Sequence, residues 1–95
     1  MTAYVITRVE ITDPDQYEKY KALSPAAAAA SGGRFIVRGG ESFTLEGPEE
    51  DRRIVVLEFP DMDSAKAFYD SEQYRHAREV RAGAADMQMM AVEGV

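Results

Sequence analysis

Gly32-Gly33-Arg34-Phe35-Ile36-Val37-Arg38-Gly39-Gly40 is the stretch that decides how this chain folds. It is an apolar strand fenced by two glycine pairs, with an arginine near its end. Strand alternation predicts Phe35 and Val37 on one face, and Ile36 and Arg38 on the other. One face then covers a core. The other is left to receive an anion, a carboxylate or a partner subunit. Gly39-Gly40 reads as a bulge or bend, after which the strand resumes through Glu41–Leu45.

Upstream, Tyr4 to Ile11 alternates and is rich in β-branched residues, so it reads as a strand. Val5, Thr7 and Val9 share one face; Tyr4, Ile6, Arg8 and Glu10 share the other. Asp13 then caps a helix, with Pro14 at its first position and Gln16 completing a loose capping box. Tyr17, Tyr20 and Leu23 follow at helical spacing. Pro25 lacks an amide hydrogen, which predicts a break there and a second helical piece capped by Ser24. Gly32 and Gly33 end that piece.

Downstream, Glu46 to Asp51 is a polar turn, and Arg52 to Phe59 is the strongest strand of the chain. Its nearly continuous apolar run implies a central strand covered on both faces. Asp61 and Asp63 stand at the start of a further helical region, with Asp63 in the role that Asp13 plays earlier. Ser71 breaks and recaps it. Tyr74, Ala77, Val80 and Arg81 then recur at helical spacing, Gly83 closes the helix, and Met87 to Val92 is the last strand. The order β-α-β-β-α-β, with right-handed crossovers, predicts an α+β fold. Its four-stranded antiparallel sheet carries the helices on one face, the ferredoxin-like arrangement.

The chain has 95 residues, which predicts a single domain over 1–95. It lacks cysteine, so no disulfide, thiol nucleophile or thiolate metal site is available. His76 is its single histidine, which removes histidine-pair metal motifs and disfavours heme. The expectation is no metal and no cofactor. Seventeen acidic residues against 11 basic ones give a net charge of -6, which argues against nucleic acid as a partner. No apolar run approaches the ~20 residues that span a bilayer. The N-terminus shows no secretion leader, so the expected setting is cytoplasmic, away from membranes.

Helices on one side leave Ile6, Ile36, Ile54, Val56 and Met90 on the other. That is too much apolar surface for water, and it predicts a homodimer that packs two such faces together.

The residues also carry a resemblance. Asp13-Pro14-Asp15 with Tyr17 and Tyr20, Gly32-Gly33-Arg34-Phe35, Val37-Arg38-Gly39-Gly40, Arg53 to Pro60, Ala67 to Ser71 and Ala84-Ala85 together resemble the bacterial family called domain of unknown function 1330. Phe68-Tyr69 stands where that family often has tryptophan or another aromatic. The resemblance implies the dimeric α+β barrel superfamily. That group includes heme-dependent peroxidases, cofactor-free quinone-forming monooxygenases and muconolactone isomerases, so the fold alone names no reaction.

Parity places Arg38 with Arg8, Arg52 and Gln88 on the face without helices, converging at one end of the sheet. There they suit a small carboxylate or enolate, or an ion pair with Glu10, Glu41 or Glu58. Glu58 is a candidate general base, or the answer to an arginine. Tyr20 and Tyr69, with Tyr17 and Tyr74, point toward the sheet, where their hydroxyls either orient a ligand or pack in the core. His76 falls out of step with the Tyr74, Ala77, Val80 stripe and reads as a rim histidine or a proton carrier. Three functions remain open. One is a cofactor-independent enzyme, isomerase or monooxygenase-like, acting on a small anionic or aromatic metabolite. The others are a non-catalytic ligand-binding dimer and a structural dimer whose charges only fix the register of its subunits.

Overall fold

A computed structural model describes all residues, 1–95, and shows β1 (Ala3–Ile11), α1 (Pro14–Ala30), β2 (Arg34–Arg38), β3 (Arg53–Phe59), α2 (Met62–Asp70), α3 (Glu72–Arg81) and β4 (Ala85–Glu93). The strands form one antiparallel sheet in the order β2-β3-β1-β4, so the predicted ferredoxin-like α+β fold holds. No helix is long and apolar enough to cross a membrane.

Alternation builds the core. Ala3, Val5, Thr7 and Val9 of β1 are buried, facing the helices beside Val55, Leu57 and Phe59 of β3. Tyr17, Tyr20, Ala27, Ala28, Ala65, Phe68, Tyr74 and Ala77 close over them from the helices. Gly33 is forced by this packing, since a side chain there would collide with the Phe59 ring. The opposite face carries Ile6, Val56 and Met90 in one register row, with no layer over it. Met90 is 51% and Val92 42% exposed.

Caps set the helix starts. Asp13 accepts from the Gln16 amide at 3.2 Å, and Ser71 accepts from the Tyr74 amide at 3.2 Å. The cap of α2 is Asp61, which accepts from the Ser64 amide at 2.7 Å; Asp63 lies inside the first turn. Gln16 does not reach back to its own cap. Its Nε2 instead donates to the Val80 and Ala82 carbonyls at 2.8 and 2.9 Å, joining α1 to the end of α3.

Four local expectations are corrected. Pro25 lies within one continuous α1 and starts no new helix. A proline deprives the carbonyl four residues earlier of its donor, here that of Lys21. Arg38 Nη2 supplies a replacement at 2.9 Å, so the helix tolerates the gap. Second, the chain irregularity lies at Ile36 rather than at Gly39-Gly40: Phe35 pairs with Leu57, Val37 with Val56 and Arg38 with Val55. The extra residue reverses the parity of Val37 and Arg38. Third, Glu41–Leu45 forms no strand, and Phe43 and Leu45 are 79% and 87% exposed. Fourth, β4 is longer than expected and β3 begins one residue later.

Candidate functional site

The parity reversal moves Arg38. It shares the helix-facing side with Val55 and Thr7, not the open face with Arg8, Arg52 and Gln88. Its guanidinium sits 4.5 Å from the Phe35 ring and bonds to α1. The other three residues do converge on the open face, through a residue the sequence did not single out. Arg8 donates to Gln88 Oε1 at 3.1 Å, and Glu50 bridges Arg8 at 3.2 Å and Arg52 at 2.8 Å. Hydrogen bonds from Arg52 hold the Glu50 carboxyl down at about 2, well below its ordinary value. Glu58, also on this face, is paired with Arg34 at 3.0 Å. Each open-face arginine thus has a carboxylate at hand. His76 is exposed on the outer side of α3, away from all of these.

The helix side is arranged differently. Tyr17, Tyr20 and Tyr74 are buried together, and the Tyr20 and Tyr74 hydroxyls lie 2.7 Å apart. The Tyr74 hydroxyl also reaches Met89 Sδ at 3.5 Å. Burial raises the pKa of the Tyr20 phenol, and the Tyr74 hydroxyl beside it raises it further; burial likewise raises that of Tyr17. These phenols stay protonated at neutral pH and act as donors, not bases. Around them stand cations with no carboxylate partner. Arg81 lies 5.3 Å from the Tyr20 ring, and Arg78 lies 4.1 Å from that of Tyr69. The Nε atoms of Arg53, Arg78 and Arg81 are buried and unbonded, as is the Thr7 hydroxyl.

Two spaces adjoin this cluster. A groove of about 670 Å³ runs along edge strand β4 beneath α2. Val5, Ala65, Phe68, Tyr69, Met87, Met89, Met90 and Ala91 form most of its wall, with Lys66, Asp70, Arg81 and Gln88 as the polar groups. Its size falls within the ~300–1,000 Å³ usual for small-ligand sites. Deeper in, a void of about 20 Å³ is lined by Thr7, Tyr17, Tyr20, Ser24, Arg38 and Arg53. That is room for one water. Phe68, Met87 and Met89 border both spaces. Of the residues singled out in the sequence, Tyr69 and Gln88 line the groove, Tyr20 and Arg38 line the void, and Arg8 touches the groove only through Gln88.

Sequence patterning did not mark Arg53 and Arg81 as site residues. Arg53 is in phase with Val55, Leu57 and Phe59, and that alternation is a signal for an inward-facing charge. Arg81 follows Tyr74 by two helical turns, on the same stripe.

The sequence profile of the family described as Domain of unknown function (DUF1330) matches residues 2–95. This chain belongs to that family. No curated protein sequence matches it. Among solved structures, this DUF1330 chain is similar to a protein of unknown function from Rhodopseudomonas palustris (18% identity, TM-score 0.76, covering 99% of this chain and 82% of that one). It is similar to a dimeric ferredoxin-like protein of unknown function from a Jannaschia species (16% identity, TM-score 0.75, covering 99% and 100%). It is also similar to SnoaB, a cofactor-independent oxygenase from Streptomyces nogalater (11% identity, TM-score 0.71, covering 99% and 93%). At these identities the likeness is one of fold.

Proposed function

We propose that this DUF1330 protein is a homodimeric, cofactor-independent enzyme, isomerase or monooxygenase-like, acting on a small anionic or aromatic metabolite in the β4 groove. One observation carries the reading. An apolar groove of ligand size reaches Arg81, a guanidinium with no carboxylate partner, beside a buried pair of phenol hydroxyls. Phe68, Tyr69 and the methionines offer flat and pliable surface to a ring. Arg81, which lines the groove, stabilises an enolate or phenolate oxygen there, with the buried Tyr20–Tyr74 hydroxyl pair behind it. Asp70 and Gln88 at the rim are the polar groups placed to handle a proton or orient a carbonyl. Chemistry of this kind draws on the substrate's own anion and needs few protein groups, which agrees with the oxygenase activity of the structural neighbour SnoaB.

The homodimer rests on the uncovered apolar row Ile6, Val56 and Met90, and on dimeric proteins of the same fold. A non-catalytic ligand-binding dimer is the second reading, favoured by the lack of a nucleophile–base pair in the groove wall.

The test is a panel of enolisable aromatic ketones and hydroquinones, with oxygen uptake and isomer formation as readouts. Saturable binding that Arg81→Met weakens at least about tenfold, the scale of a lost charge-assisted bond, supports the site. Turnover separates enzyme from binder. Binding unchanged by Arg81→Met refutes both.

A further inference from the structure

The far edge of the sheet holds a second group of unpaired cations, separate from the groove along β4. Strand β2 is the edge opposite β4, and Arg38 ends it. Two features fix this arginine. The bulge at Ile36 turns it toward the helices, and the Lys21 carbonyl, left without a helical donor by Pro25, accepts one hydrogen from Nη2. The rest of the guanidinium fork remains unbonded to protein. Arg53 stands on the same side of the sheet, on β3, its guanidinium packed against Gly39. Gly39 has a φ of +71°, and any side chain there would collide with that guanidinium. The positive φ favours glycine, and a side chain there would push the Arg53 guanidinium out of this position.

Neither arginine has a carboxylate within ion-pairing distance, although the chain has six more acidic groups than basic ones. The small void behind them is faced by the Thr7 hydroxyl, which is buried and has no partner. One such group alone signals a water. One anchored cation, Arg38, a second without a hydrogen-bond partner, Arg53, and a buried hydroxyl around one opening amount to an arrangement that lacks its acceptor.

We propose that Arg38 and Arg53 bind a carboxylate at the opening between α1 and β2, with Pro25 acting at a distance to position Arg38. The carboxylate accepts from both guanidinium groups. Because the Lys21 carbonyl already holds Arg38 in place, less side-chain freedom is lost on binding. The site is independent of the groove reading.

The arginine Nε–H signals of the full chain, followed by NMR during titration with benzoate and with its neutral analogue benzamide, test this. Benzoate is expected to shift the Arg38 and Arg53 signals saturably, and benzamide to leave them still. Arg38→Met removes the donor to the Lys21 carbonyl, so its fold is checked by circular dichroism, and in the folded variant benzoate binding should weaken at least about tenfold. Pro25→Ala returns a helical donor to Lys21, frees Arg38, and should weaken binding about threefold while Arg53 still responds. Signals that do not move, that move equally with benzamide, or binding that survives Arg38→Met would overturn the site. Unchanged affinity in Pro25→Ala would overturn the positioning role. A benzoate response confined to Arg81 would refute this site and leave the groove standing; a response at Arg38 and Arg53 without Arg81 would support this site and leave the groove to its own test.

Discussion

The two faces of the sheet treat the same residue type in opposite ways. On the open face, Arg8 and Arg52 share Glu50, and Arg34 holds Glu58. On the helix side, Arg38, Arg53, Arg78 and Arg81 have no carboxylate and lie against aromatic rings, backbone or a glycine. Charges neutralised in place lower the cost of bringing a surface against another protein. Charges left unpaired beside protonated phenols are suited to a ligand that supplies the missing anion. Under the proposed function the contrast separates assembly from binding, with the open face assigned to a second copy of the chain and the helix side to a small molecule.

The largest expected effect comes from breaking the open face. Val56→Asp puts an unpaired charge into the centre of the apolar row and should weaken self-association about a thousandfold or more, with an unchanged circular dichroism spectrum. The helix side should answer in stability. Phe68 is fully buried and stacks on Tyr74 at 4.2 Å, so Phe68→Ala should cost about 3–5 kcal/mol in denaturant unfolding. Tyr74→Phe strands the Tyr20 hydroxyl in the core and should cost about 1–3 kcal/mol.

The smallest effect belongs to the open-face charges. Glu50 titrates at about 2 when folded and near 4.5 when free, so its contribution is present above about 4.5 and lost as pH falls through about 2. Glu50→Gln should therefore flatten part of the loss of stability over that window. Near neutral pH the change should be slight, because the Glu50–Arg52 pair lies at the surface and is partly open to solvent.

Much of the fold was legible because its signals are local. Asp13 and Pro14 announce α1, Ser71 announces α3, and alternation in β1 and β3 sorts buried from open positions. What escaped depends on distant partners. Pro25 carries a real local penalty, and only Arg38, far along the chain, offsets it. The Ile36 bulge has no glycine of its own, while the neighbouring Gly39-Gly40 drew attention to the wrong place. From that single misplaced residue, Arg38 was assigned to the wrong face.

The candidate site divides the same way. Helical spacing placed the tyrosines toward the sheet, but the Tyr20–Tyr74 hydroxyl pair joins residues from different helices. The convergence of Arg8, Arg52 and Gln88 followed from strand parity, whereas Glu50, which ties the two arginines together, lies in the polar turn before β3.

Sedimentation equilibrium of the unmodified chain at low micromolar concentration is the most direct test of the division between the faces. Burial of the row Ile6, Val56 and Met90 at about 25 cal/mol per Å² supplies several kcal/mol, which predicts twice the 10.5 kDa chain mass. A mass equal to that of the single chain would contradict the account.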